Sequence, residues 1–125
     1  MDKLASFAPL AGRILIAIIF LVSGFQKAAD PAGTAAYMGM VGLPGILAWP
    51  TAIFELALGA SLVLGFQVRI MALLGAGFAI LSALMFHTDF ADQMQTINFM
   101  KNLAMAGGFL YIFAFGAGTY AIDKR

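Results

Sequence analysis

Apolar residues fall along this chain in long runs broken by short polar stretches. The first run, "APLAGRILIAIIFLVSGFQKA" from Ala8 to Ala28, is apolar apart from Arg13 until it reaches Gln26 and Lys27. Three more follow: Leu47 to Phe66, Val68 to His87 and Ile97 to Phe115. Each is close to the ~20 residues that cross a bilayer as a helix. Backbone groups in hydrocarbon must be satisfied within their own segment, and no two-residue alternation suggests a barrel. The pattern predicts an all-α fold, an integral membrane four-helix bundle forming one domain over residues 1–125.

The connections differ in character. Between the second and third runs, "GFQVR" predicts a tight hairpin turn, and between the third and fourth "TDFADQMQT" is short, polar and acidic. The first connection, "DPAGTAAYMGMVGLPGILAWP", is longer and still fairly apolar. Its Pro31, Gly33, Gly42, Pro44, Gly45 and Pro50 break regular structure, while Thr34 to Met40 can form about two turns of helix. This predicts a short interfacial or re-entrant element across one mouth of the bundle, between helices one and two. Tyr37 and Trp49 suit the headgroup zone.

Composition agrees: 62% of residues are hydrophobic and 10% charged, with a mean hydropathy of +0.96. A soluble domain carries roughly a quarter charged residues. The net charge of +1 gives no footprint for nucleic acid. Without cysteine there is no disulfide, thiol chemistry or cysteine-ligated cluster, and one histidine excludes bis-histidine haem ligation within the chain. The first run is expected to stay in place, because Lys27 stands where a signal peptide would need small residues for cleavage. Lys3, Arg13, Arg69, Lys124 and Arg125 lie toward one side, and Lys27 and Lys101 toward the other. That bias predicts a multi-pass protein of the bacterial inner membrane with both termini cytoplasmic. Arg13 and Arg69 are expected at lipid headgroups. Gly75, Ala79 and Ala83, with Ala104 and Gly108, are expected to let helices approach closely.

Ionisable groups within spans are costly and therefore informative. Glu55 lies about 12 Å from the outer end of its span, counted at 1.5 Å per residue. Lys101 and His87 lie toward the same side. Ser23, Gln26 and Lys27 follow i, i+3, i+4 spacing there, as do Asn98, Lys101 and Asn102. All four spans thus bring polar groups to the outer half. Lys27, Glu55, His87, Lys101, Asn102, Gln26 and Asn98 form the candidate ligand site. One glutamate among two lysines and a histidine leaves donors in surplus, suited to an anion or to the carbonyl oxygens of a quinone. Plainer readings stay open: a Glu–Lys pair can hold helices in register, Lys27 can snorkel, and His87 can meet headgroups. Met85, Met94 and Met100 around His87 are ordinary apolar filler or soft copper ligands. No metal site is expected.

These features together resemble the DoxX family of small four-helix membrane proteins, over Leu10 to Asp123. The resemblance is carried by "GRILIAIIFLVSGFQK", "GLPG", "FELALGASLVLGFQVR", His87, "MKNLAMAGG" and "GAGTYAID". The serine usual before the family's final aspartate is absent; Ala121 and Ile122 precede Asp123. The resemblance implies a membrane subunit associated with redox systems, among them thiosulfate:quinone oxidoreductase and terminal quinol oxidase complexes. Such a chain would bind quinone, hold no intrinsic cofactor, and take its electrons from a partner redox subunit. The alternative is a non-catalytic assembly subunit whose polar cluster joins helices. A small-anion carrier is disfavoured, since no inverted repeat is visible.

Overall fold

The computed structural model describes residues 2–123. Lys124 and Arg125, counted above toward orientation, lie outside the described residues. The described residues are helical throughout their regular parts: α1 Asp2–Ala29, α2 Pro31–Gly39, α3 Ala48–Leu64, α4 Val68–Phe86 and α5 Gln93–Phe115, with a 3-10 turn at Gly45–Leu47 before α3. α1 begins well before the expected span.

Local chemistry places the breaks. A residue before proline is pushed out of the helical region, so α1 stops ahead of Asp30-Pro31. Asp30 then caps α2, accepting from the Gly33 N–H at 3.0 Å while its carbonyl accepts from the Thr34 N–H at 3.1 Å. α3 ends at Gly65, whose positive φ of 72° suits a residue without Cβ. The N-cap of α4, Gln67, is also left-handed at φ 53° and gives no cap from its own side chain. The cap comes from far along the chain: the Asp123 carboxylate accepts from the Gln67 N–H at 2.7 Å and the Val68 N–H at 2.9 Å. Its negative charge also complements the helix N-terminus.

The long helices form two antiparallel pairs, α1 on α3 and α4 on α5, with lighter contact between α3 and α4. Small residues set each seam. A Cβ on Gly24 would meet Leu56 at 2.9 Å, one on Gly59 would meet Leu21 at 2.6 Å, and one on Gly75 would meet Phe109 at 2.8 Å. Between the pairs the spacing is wider and aromatic rings fill it. Phe20 lies 5.5 Å from Phe109 and 6.4 Å from Phe78, and Phe54 lies 5.2 Å from Phe78. Gly75, Ala79 and Ala83 are buried as expected, but Ala104 is exposed. The inner face of α5 is set by Asn102, Ala106 and Phe109, and two residues from Asn102 is about 200° around a helix.

Among the described residues, three helical segments are long and apolar enough to cross a membrane: Asp2–Ala29, Gly45–Leu64 and Val68–Phe86. The expected fourth is not among them. α5 has the length, 23 residues, but its first turns carry Gln93, Gln95, Thr96, Asn98, Lys101 and Asn102.

Candidate functional site

Arg13 departs from expectation. Far from reaching headgroups, it is 1% exposed and fully enclosed by protein. Its guanidinium donates to the Leu62 carbonyl at 2.6 Å, to the Val63 carbonyl at 3.4 Å, and to the carbonyl of Tyr120. These acceptors are available because α3 ends there with free carbonyls, and because the segment after α5 folds back over α1. Tyr120 stacks on Phe7 at 4.7 Å, and a Cβ on Gly118 would meet Pro9 at 2.6 Å. Asp123 N–H then donates to the Gly65 carbonyl at 2.8 Å. Arg13 is therefore a fastening between α1, the end of α3 and the C-terminal strap. Arg69 is exposed at this end, its guanidinium beside Gly116.

At the opposite end the helices open into a cavity of about 360 Å³. Lys27, Glu55, His87, Lys101 and Asn102 all line it. Lys27 Nζ lies 2.8 Å from Glu55 Oε1 and donates to Ser23 Oγ at 2.6 Å. The Glu55 side chain is 3% exposed and that of Lys27 26%. This pair spans the α1–α3 seam, so the two residues meet because those helices are direct neighbours. Asn102 is buried and donates to the Ala79 carbonyl at 3.2 Å, bridging α5 to α4. Its amide oxygen stays free to accept. His87 closes α4 as its C-cap. Burial, and then the nearby charge of Lys101, lower its pKa below the ordinary imidazole range.

Two expected members stand apart. Gln26 is exposed and Asn98 half-buried, and neither lines the cavity. With Ser23 and Lys27 both facing inward, Gln26 lies about 80° from the middle of their face, at ~100° per residue. Asn98 shares Asn102's side of α5 but sits a turn nearer the helix start. Of the three methionines expected near His87, Met85 lines the cavity, while Met94 and Met100 are each 62% exposed. The three do not gather around His87.

The short α2 lies over the cavity. Thr34, Tyr37 and Met38 line it from this side. Tyr37, expected among headgroup residues, stacks on Phe86 at 4.9 Å while half of its surface remains exposed. Trp49 is exposed at the start of α3. Thr51 and Ser82 add hydroxyls that sequence reading passed over. Thr51 could have been found, for it stands one helical turn before Glu55 on the same face. The remaining walls are Ile19, Phe20, Leu43, Leu47, Phe78 and their neighbours. The chamber is thus apolar, with hydrogen-bonding groups at defined places, the general make-up of small-molecule sites.

The DoxX family model matches residues 8–88. The chain belongs to the DoxX family. Inner membrane protein YqjF of Escherichia coli is 40% identical over 124 residues, covering 99% of this chain and 95% of that protein. Inner membrane protein YphA, also of Escherichia coli, is 32% identical over 93% of this chain and 88% of its own length. A Bacillus subtilis protein named "Putative oxidoreductase CatD" is 34% identical over 61% of this chain and 57% of its own length. No solved structure matches the chain. This DoxX chain is accordingly a membrane protein with apolar transmembrane helices. The family match runs from within α1 to just past the His87 cap, including Arg13, Lys27 and Glu55, and stops before Lys101 and Asn102.

Proposed function

We propose that this DoxX chain is a redox-linked membrane subunit whose cavity holds the ring of a quinone. The observation that carries the reading is the Lys27–Glu55 pair set into an apolar chamber that also receives His87, Lys101 and Asn102. A flat ring with oxygens at its edge fits such a place: apolar walls take the ring, and Lys27, His87 and Lys101 offer donors to its oxygens. Glu55 would orient Lys27 beside it. Bound quinone would supply the redox chemistry, with a partner subunit passing the electrons. The redox link draws its support from the family and from the name of CatD.

The same reading makes residues 1–125 one domain, with α5 as a fourth span. Its 23 residues are about 35 Å long at 1.5 Å per residue, and its polar residues cluster at the cavity end. Both termini are then cytoplasmic, in an inner membrane like that of the Escherichia coli relatives, with Trp49 and Arg69 at the lipid headgroups. Purification in mild detergent followed by mass spectrometry of extracted lipids tests the site. Quinone in near-equal amount to protein, lost in Glu55→Gln, is the expected result.

A second reading is favoured by one feature: the Lys27–Glu55 pair is already satisfied by Ser23 and by each other. In that reading the chain is an assembly subunit and the polar cluster joins helices. Quinone-free protein in which Glu55→Gln impairs only insertion or complex formation supports it.

A further inference from the structure

We propose that the cavity selects amphiphiles bearing a single negative charge on the head group, and that Lys101 sets this selectivity. This rests on the reading of the cavity as a ligand site and sharpens which ligand it takes. Four ionisable side chains of the candidate site line the chamber: Lys27 from α1, Glu55 from α3, His87 at the end of α4 and Lys101 from α5. Lys27 and Glu55 neutralise each other at 2.8 Å. Burial and the nearby charge of Lys101 both disfavour a charged His87. Lys101 makes no ion pair among the described residues, so the chamber carries one uncompensated positive charge.

The acidic residues at this end do not cancel it. Asp30 caps α2, Asp92 caps α5 by accepting from the Met94 N–H at 2.9 Å, and Asp89 is exposed. None of the three lines the cavity. Lys101 is itself exposed while still lining the chamber. It therefore stands at an opening, where a charged head can be met without being dragged through hydrocarbon. A charge-assisted hydrogen bond there is roughly twice as strong as a neutral one. The long apolar wall from Ile19, Phe20, Leu43 and Phe78 would take the rest of the molecule.

Two ring compounds of nearly the same shape separate charge from fit: 1,4-naphthoquinone, which is neutral, and 2-hydroxy-1,4-naphthoquinone, which is ionised at neutral pH. Dodecanoate adds an anionic amphiphile with no quinone ring. Affinities are measured by calorimetry on the purified full chain in detergent, and each is expressed as a ratio between the wild type and Lys101→Met to remove detergent partitioning. A thermal melt of each variant checks that it is folded. The expected result is that the hydroxy compound binds about tenfold more tightly than the neutral one. That advantage should collapse in Lys101→Met and persist in Lys101→Arg. Equal affinity of the two rings for wild-type protein, or an advantage untouched by Lys101→Met, overturns the charge selectivity and leaves the quinone reading standing. Binding of dodecanoate alone, dependent on Lys101, retains the selectivity and removes the quinone reading. If none of the three binds, both fall.

Discussion

At one end of the molecule Arg13 is wrapped in backbone carbonyls from α3 and the C-terminal strap. At the other, Lys27 and Glu55 pair across the same α1–α3 seam but face a cavity. Both ends place charge in an apolar setting, and the partners make the difference. Both terminal nitrogens of Arg13 meet fixed carbonyl acceptors, as a planar guanidinium can serve several at once, while its Nε is buried without a partner among the described residues. Little of it is left for a ligand. The Lys27 end has more donors than fixed acceptors, and its surplus opens into space. A buried charge in a membrane protein is thus informative only once its acceptors are counted.

That contrast can be broken at its strongest point first. Arg13→Leu should cost about 3 kcal/mol of stability, since it strips charged hydrogen bonds and strands buried carbonyls. Arg13→Lys should restore only part, for want of the planar fork. Unfolding by dodecyl sulfate titration measures both. Next, Asp123→Ala removes the cap on α4 and should cost about 1 kcal/mol, read in the same assay. A loss as large as that of Arg13→Leu would mean that the strap, and not Arg13, is the chief fastening. At the cavity end, the double variant Lys27→Met/Glu55→Leu should stay within about 1 kcal/mol of wild type, because apolar replacements of a buried pair are often neutral. It should nevertheless lose bound quinone. Equal stability with retained quinone would detach the pair from the site.

The smallest effect is His87. NMR titration should place its pKa below the ordinary ~6.5, and Lys101→Met should raise it. Because the folded form takes up the proton less readily, the contribution of His87 to stability is intact above about pH 6.5 and falls as pH drops below that value. An unshifted histidine would mean that His87 faces open solvent and not the cavity.

Much of this was legible in the sequence, and the failures have physical causes. Hydropathy located α1, α3 and α4, and proline and glycine marked α2 and its flanks. The depth of Glu55 pointed to the end of the molecule where the cavity lies. Lys27, His87, Lys101 and Asn102 joined it because helical spacing and span ends are properties of the chain itself. Gln26 failed since spacing defines a face some 100° wide but not which part of it turns inward. Arg13 failed for a different reason. Its acceptors are the Leu62 and Tyr120 carbonyls, 49 and 107 positions away, and backbone carbonyls have no signature in a sequence. Positive-inside reasoning sees a cation near a span end and cannot see what surrounds it. The apolar run Ile97 to Phe115 located most of α5, and the polar residues of its first turns keep it out of the segments apolar enough to cross a membrane.

The distant cap on α4 carries a consequence for the order of synthesis. The N–H groups of Gln67 and Val68 leave the ribosome 56 and 55 residues ahead of the carboxylate that receives them. At translation rates of 5–20 residues per second, that leaves roughly 3 to 11 s with the first turn of α4 unclosed. Arg13 waits still longer for Tyr120. The α1–α3 pair can assemble in the bilayer at once, but the latch joining it to the strap closes late. Surveillance of nascent membrane chains would therefore meet this protein as two helix pairs awaiting a final knot.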